Sequence, residues 1–302
     1  MKNRLIQMAE PSVAIILLNY CNYEDTITCV KTLKKIDYEN YIIFIIDNHS
    51  PNESLKKLYI LKEPKIQIID SGKNGGFAYG NNIGIQYALE AGMDYILLLN
   101  NDTLVEPDFL SELINKGVQK AKGDIITCRI MYNFDKDKVW YAGGEIDWDN
   151  LRAIHYGFNK NVNSINNKLN EVTFISGCCM LISRTCIEKI GMLSEEYFMY
   201  YEDVDYCQHA MEKGAKLVYV PSSIIYHCVS AAGGGSNSSF VIEWNNRSRR
   251  KFYRKYKNNI KKGRRIFIYI KCEICALIKI LLGNHRIKSL KAYCKSFLYN
   301  QK

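Results

Sequence analysis

The chain has 302 residues, of which 47% are hydrophobic, and its formal net charge at pH 7 is +10. This composition allows a sizeable core in one large or two small domains, and it excludes a wholly disordered chain, a collagen and a disulfide miniprotein. Residues 247–302 hold 18 basic residues and one acidic residue, whereas residues 1–246 hold 23 basic and 30 acidic residues. This basic tail predicts a partner with negative charge, either membrane lipid or nucleic acid.

The cysteines and the N-terminus indicate the cellular compartment. Eleven cysteines are present, and several of them (Cys178, Cys179 and Cys186) lie in apolar runs, where a free thiol behaves as a small hydrophobe. The first eleven residues lack the apolar stretch of a signal peptide. The chain also has no uncharged apolar run of about eighteen residues. We therefore expect a protein of the reducing cytosol, with no disulfide framework and no spanning helix.

Short apolar runs alternate with helical patterns over the first hundred residues. Buried strands are predicted at Val13–Asn19, Tyr41–Asp47, Lys65–Asp70 and Tyr95–Leu99. Helices are predicted between them, at 24–36, 53–62 and 77–91, and a fourth is predicted to begin at Pro107. This alternation predicts an α/β domain in which helices flank a mainly parallel sheet.

Polar or glycine residues follow each predicted strand. These segments are Asn19-Tyr20, Asp47-Asn48, the glycine-rich run 72–76 and Asn100-Asn101-Asp102. Parallel sheets bind ligands beyond the carboxyl ends of their strands, so these segments predict a binding site at one sheet edge. The glycine run matches neither a P-loop nor a dinucleotide fingerprint, and it follows the third strand.

The second half predicts short strands, turns and two helices from 124 to 230, within one continuous domain that ends near residue 240. Glu202, Asp203 and Asp205 follow a run of aromatic residues at the predicted start of a helix over 202–213. Three carboxylates exceed what helix capping needs. Apolar surface beside a carboxylate raises its pKa, which suits a general base. His227, after a strand predicted at 216–221, is a candidate metal or phosphate contact.

Several segments stand in a characteristic order: IIDNHSPNES, NGGFAYGNNIGI, LLLNNDTLVEPDFL and YFMYYEDVDYC. Their order and spacing resemble the family 2 glycosyltransferases, inverting enzymes of the GT-A fold, and in particular the bacterial rhamnosyltransferase-like branch. The resemblance runs from Val13 to about Tyr256. It implies a GT-A (Rossmann-like) domain over residues 1–240 that moves a sugar from dTDP-rhamnose or a UDP-sugar. The implied acceptor is a hydroxyl of a glycan or lipid-linked molecule in bacterial polysaccharide biosynthesis.

The resemblance also implies roles for individual residues. Asp203 is expected to be the catalytic base, with Glu202 and Asp205 as catalytic carboxylates beside it, while Asp102 and His227 are expected to bind Mg²⁺ or Mn²⁺ at the diphosphate. The expected donor-binding residues are Asn19, Tyr20, Asp47, Asn74, Gly75, Gly76, Asn81, Asn101 and Arg247. Asn100 stands where the family pattern has the first aspartate of its DXD motif. The implied reaction is a single displacement that inverts the anomeric carbon.

The helical tail, 241–302, contains a candidate membrane-binding helix at 264–282. At about 100° per residue, Arg264, Lys271 and Lys279 fall on one side. The opposite side carries five apolar residues and one carboxylate, namely Ile266, Tyr269, Ile270, Leu277, Ile280 and Glu273. This pattern predicts peripheral attachment to the anionic inner face of the cell membrane. A helix packed on the core with solvated lysines is the alternative.

Two other functions remain open from the sequence. A nucleotidyltransferase that makes sugar nucleotides would need a glycine-rich basic loop after the first strand, where this chain has Asn19–Asn22. A non-catalytic basic protein that binds membrane or nucleic acid would fit the tail. The aromatic stacking motif of RNA binders is absent from the sequence, so we expect no nucleic-acid partner. The acidic cluster at 202–205 and Asp102 favour an enzyme, because binding of phosphate alone does not call for carboxylates.

Overall fold

The computed structural model describes residues 10–165, 167–229, 238–283 and 285–298. The first nine residues, in which the sequence predicts no signal peptide, lie outside these ranges. Within the ranges, the strands β1 to β12 are Val13–Asn19, Tyr41–Asp47, Ile66–Asp70, Tyr95–Asn100, Thr103–Val105, Ile125–Tyr132, Val139–Tyr141, Gly144–Asp147, Arg152–His155, Asn170–Glu171, Cys179–Ser183 and Leu217–His227. The helices α1 to α9 are Tyr23–Leu33, Ser54–Leu58, Gly76–Glu90, Phe109–Glu112, Arg184–Ile190, Glu202–Glu212, Ser239–Tyr256, Arg265–Leu282 and Arg286–Lys295.

The four N-terminal strands form a parallel sheet in the order β3-β2-β1-β4. Their apolar residues are buried on both faces; Val13 to Leu17 of β1, for example, have no exposed surface. The register sets Asn19 opposite Asp47, Asp47 opposite Asp70, and Leu18 opposite Asn100. The polar ends of the strands are therefore level with one another. The predicted strands are confirmed, and the predicted convergence at one edge follows from this register.

Beyond β4 the ten-stranded sheet is mixed. Strand β11 runs antiparallel between β4 and β6, while β12 is parallel to β6 and antiparallel to β5 and β10. The predicted parallel sheet thus comprises the four N-terminal strands, and the antiparallel strands β5, β7, β10 and β11 join it in the second half beside the parallel pair β6–β12. Strand β12 also continues past Pro221, where the sequence predicts its end, as far as His227. A shift of register between Val220 and Ile224 accommodates this proline, which has no N–H to donate.

Helix α7 packs against the main core. Phe252 is fully buried there and Tyr256 nearly so. The Ser248 hydroxyl donates to the Met199 carbonyl (2.9 Å), which fastens the helix to the segment before α6. The first helix of the basic tail is thus part of the same packed body as the sheet.

Helix α8 packs on the protein through one face and leaves an apolar face in solvent. Its buried residues are Ile268, Cys272 and Ile280. The exposed apolar residues are Ile266, Phe267, Ile270, Ile274, Ile278, Leu281 and Leu282. The sequence analysis places Glu273 and Ile280 on the apolar side of α8, opposite its lysines. In the structure Glu273 is ion-paired on the packed side and Ile280 is buried, so the predicted membrane-facing side is wrong at these two residues. Among the described residues no helix is both long and apolar enough to cross a bilayer.

Candidate functional site

A network of polar side chains fixes the ends of β1 and β2. The Asn19 amide donates to Asp47 Oδ1 (2.6 Å) and accepts from the Thr26 hydroxyl (2.9 Å). Asp47 also accepts from the Ser50 backbone N–H (2.8 Å) and from its hydroxyl (2.7 Å). Asp47 is 1% exposed. Its visible role is therefore to hold the loop after β2, and the predicted contact with a donor base stays a prediction.

The glycine-rich run meets the segment before α6 at the start of α3. The Asn48 amide donates to Asn74 Oδ1 (3.0 Å) and to the Gly76 carbonyl (3.1 Å). Gly76 has φ = +89°, and a Cβ there would lie 2.1 Å from the Phe198 carbonyl oxygen. The Phe77 N–H donates to that same carbonyl at 2.9 Å. Only glycine fits this position, because the backbone of the segment before α6 occupies the space of a side chain.

The other predicted donor residues of this half lie close to the same edge. Tyr20 is 45% exposed, whereas Asn81 is buried in α3, with its amide on the Phe77 carbonyl (2.9 Å). Asn101 donates to the Thr26 hydroxyl (2.8 Å) and so joins the network of β1. Gly75 is the residue that precedes α3. Their contacts with a donor remain predictions.

Asp102 and His227 form a buried pair where β4 ends and β12 ends. His227 Nε2 lies 3.1 Å from Asp102 Oδ1, and both side chains are about one-tenth exposed. The Trp140 ring packs edge-on against the imidazole, with 4.7 Å between the ring centroids. No described residue hydrogen-bonds to His227 Nδ1, which is buried. The sequence could not show this pairing, since 125 residues separate the partners.

These two side chains fit a divalent cation as part of its ligand set. A carboxylate and an imidazole with an unused ring nitrogen are suitable donors for Mn²⁺ or Mg²⁺. Within the described ranges there is no cluster of three or more His, Cys, Asp or Glu side chains that could hold a metal by itself. A cation here would therefore need oxygen ligands from the diphosphate of a nucleotide.

Asp203 lies at the first turn of α6, with both carboxylate oxygens hydrogen-bonded to backbone. Oδ2 accepts from the Gly177 N–H (3.0 Å) and Oδ1 from the Val204 N–H (2.8 Å). Cys178, the next residue after Gly177, is bound to the sheet edge, because its carbonyl accepts from the Asn100 N–H (2.9 Å). One short loop therefore connects Asp203 to the strand end that carries Asp102.

Glu202 and Asp203 are adjacent carboxyl groups at the start of α6, of which Glu202 is buried and Asp203 is half-buried. Burial raises the pKa of Asp203, and the N–H groups of Gly177 and Val204 oppose that shift. Burial and the charge of Asp203 together raise the pKa of Glu202 well above its usual range. No described residue hydrogen-bonds to Glu202 Oε2, so this group has less support for a negative charge. We therefore assign the charge of the pair to Asp203 and the proton to Glu202.

The backbone just before α6 is strained. Tyr200 and Tyr201 have φ values of +66° and +69°, in the left-handed region that tyrosine rarely adopts. Such strain concentrates at functional sites, where surrounding packing enforces it. The aromatic run before the acidic cluster marks this segment in the sequence, but the backbone conformation is visible only in the structure.

Two predicted site residues lie apart from Asp203. Both oxygens of Asp205 accept from Lys255 Nζ (2.8 Å each), and Tyr197 donates to Oδ1 (3.0 Å). Asp205 thereby ties α6 to α7. Arg247 stacks on Trp244 and donates to the Lys295 carbonyl (3.0 Å). Neither residue lines the cavity that contains Asp203. The structure thus separates Asp205 from the Glu202–Asp203 pair with which the sequence grouped it.

Sequence reasoning missed some residues that build the site. Asn48 braces the glycine run, and the rule that polar residues follow strands could have selected it. Gly177 supplies a hydrogen bond to Asp203 from 26 residues away, and nothing in the sequence marks it. The cations that share the cavity with Asp203 come from the hairpin β8–β9 and from the tail. The sequence places Lys271 and Lys279 on one side of a tail helix, but it does not indicate that they line a cavity with Asp203.

Comparison with known proteins defines the class of protein to which this fold and site correspond. The model of Glycosyl transferase family 2 matches residues 12–191. The chain belongs to this family, which confirms the resemblance in the sequence.

Two curated relatives and one solved structure illustrate the similarity. The low-salt glycan biosynthesis hexosyltransferase Agl10 of Haloferax volcanii is 30% identical over 207 residues, which are 68% of this chain and 63% of the relative. The dTDP-rhamnosyl transferase RfbF of Shigella flexneri is 27% identical over 203 residues, 65% of this chain and 63% of the relative. This chain thus matches somewhat less than two thirds of the length of each.

The mannosyltransferase PcManGT of Pyrobaculum calidifontis, solved with GDP-Man and Mn²⁺, superposes with a TM-score of 0.61 at 11% identity. The match covers 98% of this chain and 89% of that structure. At this identity the likeness shows the fold alone. The fold is the GT-A fold, as the motifs predicted.

Proposed function

We propose that the chain is an inverting glycosyltransferase of polysaccharide biosynthesis. Its donor is a nucleotide sugar, either dTDP-rhamnose or a UDP-sugar, and its acceptor is a hydroxyl of a glycan or lipid-linked molecule. The observation that carries the proposal is the position of Asp203. Its half-buried carboxylate lines a cavity, and one loop links it to the end of β4, beside the Asp102–His227 pair.

The proposed chemistry is one in-line displacement. Asp203 removes the proton of the acceptor hydroxyl while that oxygen forms a bond to the anomeric carbon of the donor sugar. The bond from that carbon to the diphosphate oxygen breaks, and the electron pair leaves with the nucleoside diphosphate. A single displacement inverts the anomeric carbon. The raised pKa of Asp203 suits this role, because a general base works best when its pKa approaches the working pH.

Other residues position the donor and its leaving group. The network of Asn19, Asp47 and Asn101 holds the strand ends to which the nucleoside would bind. Asp102 and His227 would hold Mg²⁺ or Mn²⁺. When bound, such a cation offsets the charge that develops on the leaving diphosphate. Glu202 would keep a proton and so leave the negative charge on Asp203.

The test is release of nucleoside diphosphate from a panel of UDP-, dTDP- and GDP-sugars, with and without Mn²⁺ and Mg²⁺. We expect slow hydrolysis of one donor, which the acceptor accelerates. Asp203→Asn should reduce turnover by about 100-fold or more while donor affinity stays unchanged. Glu188→Gln, an exposed carboxylate on α5, is the matched control and should turn over normally. Wild-type rates in Asp203→Asn would contradict the proposed base.

We also propose that the protein attaches peripherally to the inner face of the cell membrane through α8. Seven apolar side chains of this helix, from Ile266 to Leu282, are exposed to solvent. Basic side chains flank that face: Lys261, Lys262 and Arg264 stand before α8, and Arg286, Lys288 and Lys291 are on α9. Apolar insertion together with attraction to anionic lipid is how interfacial helices bind a bilayer. A lipid-linked acceptor would be found at the same surface.

A further inference from the structure

The segment before α6 is held in its strained conformation by hydrogen bonds from three other parts of the chain. The Phe198 carbonyl accepts from the first turn of α3, and the Met199 carbonyl accepts from α7, each at 2.9 Å. The third bond is made by a side chain, because the Tyr201 hydroxyl donates to the Leu151 carbonyl (2.5 Å). Strained backbone persists only where its surroundings enforce it, so these bonds fix the conformation from which α6 begins.

The bond of Tyr201 joins two buried residues that both have left-handed backbone. Tyr201 is 7% exposed with φ = +69°, and Leu151 is 1% exposed with φ = +50°. Burial raises the pKa of the Tyr201 hydroxyl, which therefore keeps its proton and stays a donor. Leu151 ends the loop of the hairpin β8–β9, residues 148–151, here called the hairpin loop. Tyr201 directly precedes α6, so the hydrogen bond acts two residues before Asp203.

Helix α8 holds the hairpin loop through its packed face. Lys271 Nζ donates to the Asp149 carbonyl (3.2 Å), and the Cys272 thiol donates to the Asn150 carbonyl (3.3 Å). The Leu151 side chain packs in a small cluster, separate from the main core, with Ile260, Ile268 and Cys272. The position of the carbonyl that accepts from Tyr201 is therefore set by the tail.

The start of α6 determines where the Asp203 carboxylate lies. This half-buried group lines a cavity of about 1000 Å³, whose other walls include the hairpin β8–β9 and the helices α7, α8 and α9. Oδ1 accepts from the Val204 N–H of the same helix, whereas Oδ2 accepts from the Gly177 N–H of a separate segment. The Gly177 bond therefore depends on the position of α6. A shift of about 1 Å at a reacting group can cost about 100-fold in rate.

We infer that Tyr201 is a positioning residue for the base Asp203: its hydrogen bond to the hairpin loop, which α8 holds, keeps the start of α6 where the Asp203 carboxylate meets the Gly177 N–H. The inference rests on the proposed function, which assigns Asp203 as the base, and it adds a residue and a helix that act through that base. In this arrangement α8 contributes to turnover through the hairpin loop, without contacting the reacting atoms.

The competing explanation is that the Tyr201 hydroxyl contributes to stability alone. A matched tyrosine on the same helix separates the two: Tyr206 is 2% exposed and donates its hydroxyl to the Gly191 carbonyl (3.2 Å). Tyr201→Phe and Tyr206→Phe each remove one such bond and keep the ring. Both variants should therefore lower the midpoint of thermal unfolding by similar amounts.

The two variants should differ in turnover, measured as release of nucleoside diphosphate well below both midpoints. Tyr201→Phe should lower kcat about tenfold and leave KM for the donor within about twofold of wild type, because the base moves while the donor side is untouched. Tyr206→Phe should keep the wild-type kcat. Equal kcat in the two variants, or a loss in Tyr201→Phe carried by KM, would overturn the inference.

A second pair of variants tests the contribution of α8. Ile268→Ala removes a side chain, 1% exposed, that packs with Leu151, whereas Ile66→Ala removes one that is 2% exposed at the start of β3, away from the polar strand ends. Both should destabilise the fold, since each leaves a cavity in a packed cluster. Only Ile268→Ala should lower kcat, by about threefold or more, with KM unchanged. Equal kcat in this pair would overturn the role of α8.

The variant Asp203→Asn separates this inference from the proposed function. If Asp203→Asn is inactive and Tyr201→Phe behaves like Tyr206→Phe, the positioning role is wrong and the glycosyltransferase stands. If Asp203→Asn turns over at the wild-type rate, the proposed base fails, and the inference fails with it.

Discussion

The sheet edge at residues 19–102 and the cavity under α7 and α8 differ in how far the protein itself satisfies their polar groups. At the edge, Asn19, Thr26, Asp47 and Ser50 satisfy one another with hydrogen bonds before any ligand arrives. In the cavity, cations exceed carboxylates, and Glu202 Oε2 has no hydrogen-bond partner among the described residues. A satisfied buried network is rigid, whereas an unbalanced one is completed by what binds to it. Hydrogen bonds within the edge therefore fix its geometry, whereas the lining of the cavity carries more positive than negative side chains.

Removal of the charge at Asp102 should produce the largest effect on activity. Asp102→Asn should lower donor turnover by about 10²–10³-fold, because a group that stabilises the leaving diphosphate is lost. Turnover as a function of Mn²⁺ concentration is the measurement. Asp108→Asn, an exposed change nearby, is the control. An unchanged Mn²⁺ response in Asp102→Asn would show that the edge is not a metal site.

The ion pairs that hold the tail should dominate stability. Glu273→Gln leaves Arg250, 2% exposed, without its carboxylate, and should cost about 3 kcal/mol of the free energy of unfolding. Glu243→Gln on α7 removes a pair within one helix and should cost less than about 1 kcal/mol. Denaturant unfolding measures both. Equal costs would mean that the buried ion pairs do not fasten α8 to α7.

The stability lost in Glu273→Gln should also depend on pH. Burial alone would raise the pKa of Glu273, but hydrogen bonds from Arg250 and Tyr293 and the charges of the arginines lower it below the ordinary 4.5. A lowered carboxyl pKa stabilises the fold at pH values above the ordinary pKa, and this stabilisation disappears as the pH falls through the folded-state pKa. The gap between wild type and Glu273→Gln should therefore be full at neutral pH, and should narrow only as the pH falls below 4.5 and through the lowered pKa of Glu273.

Substitutions on the outward face of α8 should weaken membrane binding, an effect smaller than those expected at Asp102 and Glu273. Phe267→Glu with Ile274→Glu places charge on the outward face of α8, where the two side chains are 65% and 50% exposed. Binding to anionic liposomes at physiological salt should fall about tenfold or more, because apolar insertion is lost. Lys31→Gln with Lys35→Gln, two exposed positions in and after α1, lowers the net charge by the same amount and should matter less. Equal losses would indicate binding by net charge alone.

The smallest change in rate is expected at Glu202. Glu202→Gln mimics the protonated acid that we assign there, so activity near pH 8 should stay within about threefold of wild type. Because Glu202 keeps its proton over the range in which Asp203 titrates, the neutral amide should leave the acid limb of the rate profile where it is. A pH profile of turnover is the measurement. A loss as large as that of Asp203→Asn would instead make Glu202 the base.

The sequence by itself determined the strands β1 to β4, their polar ends and the acidic start of α6. Runs of buried β-branched residues and a cluster of carboxylates are local signals, and the ends of parallel strands meet by geometry alone. These signals sufficed to name Asp102, Asp203 and His227 as candidates.

Only the tertiary structure decided which of those side chains work together. The Asp102–His227 pair spans 125 residues, and Gly177 supports Asp203 from another loop. Asp205, two residues after Asp203 on α6, accepts hydrogen bonds from Lys255 instead. Helical periodicity cannot tell which face of α8 is packed. The face of α8 that carries Glu273 is packed, because the buried Arg250 needs the carboxylate of Glu273. The opposite, apolar face of α8 has no partner within the described chain.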